Sequence, residues 1–408
     1  MKEYNTLDDF DLEGKTVLLR VDFNMPLDKK TLEILDTTRI KKVLPTIKEL
    51  IRKNTKTVIL AHQGRKDSWD FISLEKHSRA LSSLIGKTVE FVDDIYGEKA
   101  QNAIKNMKPG DIIMLDNVRK YDGETDKKTP EEHSQSEFVQ SLYPLVDYFI
   151  IDAFAAAHRK QCSLIGFTYV LPSAAGRLME KEISTLSKII ANPEKPSVFL
   201  FGGAKFSDVI VTIERLLENK TADKIILTGL PANAFLKAEG ISLGDKNEEM
   251  LAKEGTKESY DEINHLLERY KDNIYLPVDF AEKSNTNRNE IEVSELPTQY
   301  NLFDIGEKSI SNFKNILSDA KTVFLSGPCG VFEEDSFMKG TKEIFTHVAN
   351  SEVFSIVGGG HTVAAIEKLG LESKISHIST GGGSLEKFMM GEKLPVIEAL
   401  KASKNKFS

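Results

Sequence analysis

The 408-residue chain has only two cysteines, Cys162 and Cys329. That is too few for a disulfide framework or a cysteine-built zinc site. No apolar run approaches the roughly 18 residues needed to cross a bilayer. There is no excess of positive charge either: 54 Lys and Arg stand against 62 Asp and Glu, a formal net charge of −8. This balance argues against nucleic acid or a membrane surface as partner, while leaving room for a small anion held by locally gathered cations. The opening MKEYNTLDDFDLEGK lacks the charged-then-apolar pattern of a secretory leader, so the expected location is the cytoplasm. Two nucleotide signatures are missing as well. No GxGxxG follows a strand, and Gly86-Lys87-Thr88 has Leu81 where a P-loop needs its first glycine. His62, His158 and His361 have no partner at metal-ligand spacing, so no side chain is assigned to a metal.

What is present is an ordinary folded composition, 40% apolar and 28% charged, over a length that implies two or three domains. Short β-rich runs alternate with helical stretches throughout. Strands are expected at Thr16–Phe23, Thr57–Ala61, Val89–Val92, Asp111–Leu115 and Asp147–Phe154. In the second half they are expected at Ser197–Gly203, Lys224–Gly229, Asn273–Phe280, Thr322–Pro328, Val353–Gly359 and Ile375–Thr380. Runs such as VFLFGG and TVFLSG suit strands buried on both faces of a parallel sheet. The class is therefore α/β, with one sheet expected in each half. Met179, Ile183, Leu186 and Ile190 form a helical stripe, and Asn192-Pro193-Glu194-Lys195-Pro196 breaks it. A boundary between two lobes is expected there, near 170–195. The charged stretch Tyr121–Ser136 is expected to be a surface loop.

In open parallel sheets, ligands bind at the carboxyl ends of the strands. The first half places cations at such ends: Arg39 after Asp36-Thr37-Thr38, His62-Gln63-Gly64-Arg65 after TVILA, Arg119 after DIIMLDNV, and His158-Arg159 after IIDAF. Asp22 and Asn24 end the first long strand. Guanidinium groups gathered in this way suit phosphate and carboxylate, which they bind bidentately. The second half places glycine at these ends: Gly202-Gly203-Ala204-Lys205, Gly327-Pro328-Cys329-Gly330, Gly358-Gly359-Gly360-His361-Thr362 and Gly381-Gly382-Gly383. Backbone amides at such loops and at a following helix start are a polyphosphate cradle. Cys329 reads as a small packing residue. The two halves together point to phosphoryl transfer between a small anion and a nucleotide.

The ordered motifs KTVLLRVDFN, DTTRIKKVLPTIKEL, AHQGR, DNVRK, DAFAAAHR, FGGAK, SGPCGVFE, GGGHTVAAIEKLG and STGGGSLEKF resemble those of the phosphoglycerate kinase family, and AHQGR, the GGAK loop and GGGHTVAA resemble its archaeal branch. The resemblance implies two doubly wound, Rossmann-like parallel-sheet lobes. It implies a 3-phosphoglycerate-binding domain at 1–170, an interdomain helix and hinge at 171–196, and a nucleotide-binding domain at 197–388. A C-terminal segment, 389–408, would pack back on the first domain. It also implies that Asp22, Asn24, Arg39, His62, Gln63, Gly64, Arg65, Arg119 and Arg159 bind 3-phosphoglycerate or 1,3-bisphosphoglycerate. Gly203, Lys205, Glu333, Gly359, Gly360, His361 and Thr362 would bind ATP or ADP with Mg²⁺. Arg39, Lys205, Gly359 and Gly382 would act on the transferring group. A monomer is expected. The chain departs from the family pattern at Val209, His361 and Ser326, where a lysine, an acid and an asparagine are usual, so no residue is named as magnesium ligand.

Overall fold

The computed structural model describes residues 3–204, 206, 209–255, 259–285 and 287–408. The chain divides into two compact units. One runs up to Ser184 and takes in Lys393–Ser408, and the other is Thr185–Glu392. The division falls inside the helix Arg177–Ala191.

The first unit is built on β1 (Asn5–Thr6), β2 (Thr16–Val21), β3 (Lys56–Leu60), β4 (Glu90–Val92), β5 (Ile112–Leu115), β6 (Tyr148–Asp152) and β7 (Ser173–Ala175). They form a seven-stranded sheet in the order β1-β7-β6-β2-β3-β5-β4, with every pairing parallel. Every residue of β2 is buried, including Arg20. Its apolar run meets a core that includes Leu7, Val17, Leu19, Ile40, Ile47 and Ile59. From β2 the chain moves outward through β3 and later returns to add β6 on the other side. The C-terminal edge between β2 and β6 is therefore a topological switch point. The C-terminal helix Pro395–Phe407 belongs to this unit, and Ser403 Oγ accepts the Ser173 amide at 3.1 Å.

The second unit holds β8 (Ser197–Phe201), β9 (Lys224–Leu227), β10 (Ile274–Tyr275), β11 (Asp279–Ser284), β12 (Asn287–Glu292), β13 (Asn301–Ile305), β14 (Thr322–Ser326), β15 (Phe354–Gly358) and β16 (His377–Ile378). Six of these form a sheet in the order β10-β9-β8-β14-β15-β16, again parallel throughout. Its switch point lies between β8 and β14. The remaining three make an antiparallel sheet, β12-β11-β13.

Three expectations need correction. Among the described residues the second half contains two sheets, and the expected strand Asn273–Phe280 covers the edge strand of one (β10) and the start of β11 in the other. The segment Tyr121–Ser136 is not a plain surface loop. It contains a 3₁₀ turn at Asp122–Thr125 and a helix at Pro130–Ser134, and it buries Glu124, His133 and Ser134. In the helix Arg177–Ala191 the fourth buried apolar residue is Ile189, with Ile190 only half-buried.

Candidate functional site

At the first switch point the loop after β2 turns Asp22 toward Arg39, whose guanidinium donates to its carboxylate at 2.6 Å. Arg39 sits in the first turn of the helix Thr38–Arg52. That helix starts where Asp36 Oδ1 accepts both the amide (3.0 Å) and the hydroxyl (2.7 Å) of Thr38, which satisfies donors that a helix start leaves open. The Asn24 side chain accepts the Gly64 amide at 2.8 Å. Gly64 has φ +68, and a Cβ there would come within 2.4 Å of the Asp70 carbonyl oxygen. This glycine lets the Arg65 loop fold back closely. Asn117 ties the loops together, donating to the carbonyls of Gln63 (2.7 Å) and Ile72 (2.9 Å). Its own oxygen accepts the Arg119 amide, and Arg119 donates to the Gly64 carbonyl.

Arg65, Arg119 and Arg159 line one cavity of about 360 Å³, together with Lys66, Glu124 and Gln161. Behind it, Arg20 is fully buried, with Nε donating to Ser163 Oγ at 2.8 Å and an Nη 3.3 Å from His62 Nδ1. Ser163 in turn donates to Glu124, from its hydroxyl at 2.6 Å and its amide at 2.8 Å. Gln63 is wholly buried and its amide is engaged internally, with Met25 and His77. It shapes the loop and does not face the cavity.

The charges of this cluster act strongly on one another. Burial, then Arg159 and Arg20, press the Arg119 guanidinium down to about 10, with Glu124 and Asp22 opposing. Burial and Arg159 likewise lower Arg20. These cations disfavour one another, and an incoming anion relieves that. Burial and the cations Arg20, Arg119 and Arg159 hold His62 well below its usual value against the pull of Asp22, so at neutral pH it is uncharged. Asp22 itself would be raised by burial, but His62, Arg39, the Asn24 amide and Arg20 bring it down to about 2. With the His62 ring neutral, the positive charge facing Asp22 belongs to Arg39 and Arg20.

At the second switch point the loops after β8 and β14 lie backbone against backbone. The Gly202 amide donates to the Ser326 carbonyl and the Gly203 amide to the Pro328 carbonyl, each at 2.8 Å. A Cβ on Gly327, at φ +95, would stand 2.1 Å from the Gly202 oxygen. These two glycines are required by packing. Gly359, at φ +89, precedes the helix Gly360–Lys368, and a Cβ on Gly360 or Gly382 would meet nothing within 4 Å. Both of these residues are exposed. Thr362 Oγ1 accepts the Gly327 amide at 2.7 Å and so joins the third loop to the second. The loops enclose a cavity of about 110 Å³ that includes Gly203, Gly359, Gly360, His361, Thr362 and Gly382. Val209 and Ser326 stand in its wall. A second cavity of about 180 Å³ shares Gly203, Ala204, Pro328 and His361 with it, and adds the apolar Leu230, Phe303 and Phe332 together with the exposed Glu333.

The site residues read from the sequence thus fall into one cluster in each unit, apart from Lys205, which lies outside the described residues. Cys329 is buried, and burial raises its thiol well above the usual range; it is a packing residue. Sequence reading missed Arg20, Gln161 and Asn233. An arginine inside TVLLRV was the available signal for the first; nothing comparable marked the other two.

Comparison with known proteins follows the same outline. A family model described as phosphoglycerate kinase matches residues 7–392. A phosphoglycerate kinase from Methanothermus fervidus is 44% identical over 406 residues, covering 100% of this chain and 99% of that one. One from Methanococcus maripaludis is 46% identical over 410 residues, covering 98% and 99%. The crystal structure of phosphoglycerate kinase from Pyrococcus horikoshii OT3 superposes with a TM-score of 0.91 at 40% identity, covering 99% of this chain and 100% of that one. That of Coxiella burnetii gives 0.81 at 32% identity, with 98% and 99% covered.

Proposed function

The chain belongs to the phosphoglycerate kinase family, and from that premise we propose how its residues divide the reversible transfer of a phosphoryl group between 1,3-bisphosphoglycerate and ADP. The reaction is that of a glycolytic phosphotransferase with a carboxyl group as acceptor. In-line phosphoryl transfer asks the protein for positioning and charge neutralisation, with no protein nucleophile. The observation that carries the proposal is the pair of anion cradles at the two switch points, one of guanidinium groups and one of glycine amides.

In this reading the first unit holds the glycerate. Arg65, Arg119 and Arg159 take its phosphate, while Asp22, Asn24, Gly64 and neutral His62 frame the remainder. Gln63 supports these residues from behind. Arg39 stabilises the phosphoryl group in transit. The second unit holds the nucleotide, with phosphates on the amides of Gly359, Gly360 and Gly382 and on His361, Gly203 lining the cavity with its own amide held by Pro328, Thr362 bracing the loops, and ribose on Glu333. Lys205 would add a cation to the first glycine loop. The helix Arg177–Ala191 serves as the hinge.

Magnesium requires hard oxygen ligands. Among the described residues no group of three or more His, Cys, Asp or Glu could hold a metal ion. Of the residues lining the glycine-loop cavity, Glu386 is a carboxylate and His361 an imidazole. This donor set fits an ion that enters on the nucleotide's own phosphates, with Glu386 as the nearby carboxylate. When bound, that ion neutralises phosphate charge. We further propose a cytoplasmic monomer with no nucleic-acid or membrane partner. Among the described residues no helix is long and apolar enough to span a membrane.

The test is formation of 1,3-bisphosphoglycerate from 3-phosphoglycerate and ATP, drawn off by a coupled dehydrogenase, with and without Mg²⁺. Turnover that vanishes in EDTA is the expected outcome. Ligand binding without turnover on ATP or GTP would favour a binding protein instead.

A further inference from the structure

The helix Gly229–Ala238 carries Asn233 into the wall of the apolar cavity. Asn233 is 4% exposed, and its Oδ1 is buried without a hydrogen-bond partner. Its surroundings there include Leu230, Phe280, Leu302 and Phe303. The cavity's other buried acceptor, Asp304, is fully engaged: Oδ2 with Arg288 (2.7 Å) and the Gly340 amide (2.8 Å), Oδ1 with the Ile305 amide (2.9 Å). A buried amide oxygen with no donor costs about 1–3 kcal/mol. A ligand that brings an N–H to it removes that cost. An apolar cavity with one such polar point, continuous with a phosphate cradle, suits a flat heteroaromatic base.

We propose that Asn233 reads the nucleobase: its side-chain oxygen accepts a hydrogen bond from the amino group at purine C6, so the cavity prefers a purine that carries this amino group to one that lacks it. The assignment rests on the nucleotide reading above and adds the residue that sets base preference. A site built to pair a ligand N–H rejects the analogue lacking it, because its own polar group is then left unpaired.

The experiment measures calorimetric affinities of the full chain for ADP and for purine riboside 5′-diphosphate, the same purine without its C6 amino group. The wild type should bind ADP about tenfold more tightly or better. In Asn233→Leu, and in Asn233→Ala as a second variant, that ratio should fall to near one. A general loss of packing would weaken both ligands alike and leave the ratio unchanged. Equal affinity of the wild type for the two ligands overturns the inference. So does a ratio that survives in a folded variant, and in both cases nucleotide binding still stands. Absence of binding by either diphosphate overturns the inference and the nucleotide reading together.

Discussion

In the proposed reading the two units meet the same demand, an anion held at the end of a parallel sheet, with opposite materials. The first uses side chains, Arg65, Arg119 and Arg159 around one cavity, with Glu124 and Asp22 opposing the burial that lowers Arg119. The second uses backbone, with Gly359, Gly360 and Gly382 lining the other cavity and no atom within 4 Å of where a side chain on Gly360 or Gly382 would begin. A guanidinium site breaks when a charge is removed. A glycine site breaks when a methyl group is added, and the cost depends on which glycine receives it.

The sharpest way to test this contrast is at Arg39. Arg39→Ala should lower kcat by roughly 10²–10³, about 3–4 kcal/mol of barrier, with a much smaller change in KM. Steady-state kinetics in the coupled assay decides it, and equal effects on kcat and KM would remove Arg39 from its assigned role. Next comes Gly327→Ala, which forces a Cβ against the Gly202 carbonyl at a positive φ. It should cost about 3 kcal/mol of stability in denaturant unfolding. Its counterpart Gly360→Ala should leave stability within about 0.5 kcal/mol and weaken nucleotide binding alone. If both alanines were equally destabilising, the separation of packing glycines from ligand-facing glycines would fail.

Arg65→Ala should raise KM for 3-phosphoglycerate about tenfold, the worth of one charged hydrogen bond, and change kcat little. A last effect concerns pH. Asp152, at the end of β6, accepts from Thr46 Oγ1 at 2.6 Å and from the Met179 amide at 2.8 Å. Burial nonetheless raises it to about 7 against those bonds and Arg177. The folded state therefore holds a proton that the unfolded state has released. Stability should fall as pH rises from about 4 to about 7, and Asp152→Asn should flatten that slope in thermal melts across the range.

Strands were legible where burial on both faces made them continuous apolar runs, as in β8 and β14. The antiparallel sheet was not. β12, NRNEIE, is polar and largely exposed. Arg288 within it bonds Asp304 (2.7 Å) and the Ile305 carbonyl (2.9 Å), partners sixteen and seventeen residues away. No local pattern announces such a strand. Glu124 was lost for a related reason: in YDGETDKK it reads as one more solvated charge, and only Ser163, thirty-nine residues on, accounts for its burial.

The sequence by itself determined the α/β class, the order of motifs, and that cations gather at strand ends in one half and glycines in the other, because residue type and strand-end position carry that information locally. The tertiary structure alone decided which glycines are there for packing and which open onto a cavity. It decided that His62 is neutral and that Asp152 holds its proton well above the ordinary carboxylate range. It also decided that Asn233 carries an unmet acceptor. Each of these depends on burial and on neighbours brought in from distant parts of the chain, and the strength of charges and hydrogen bonds is set by that company.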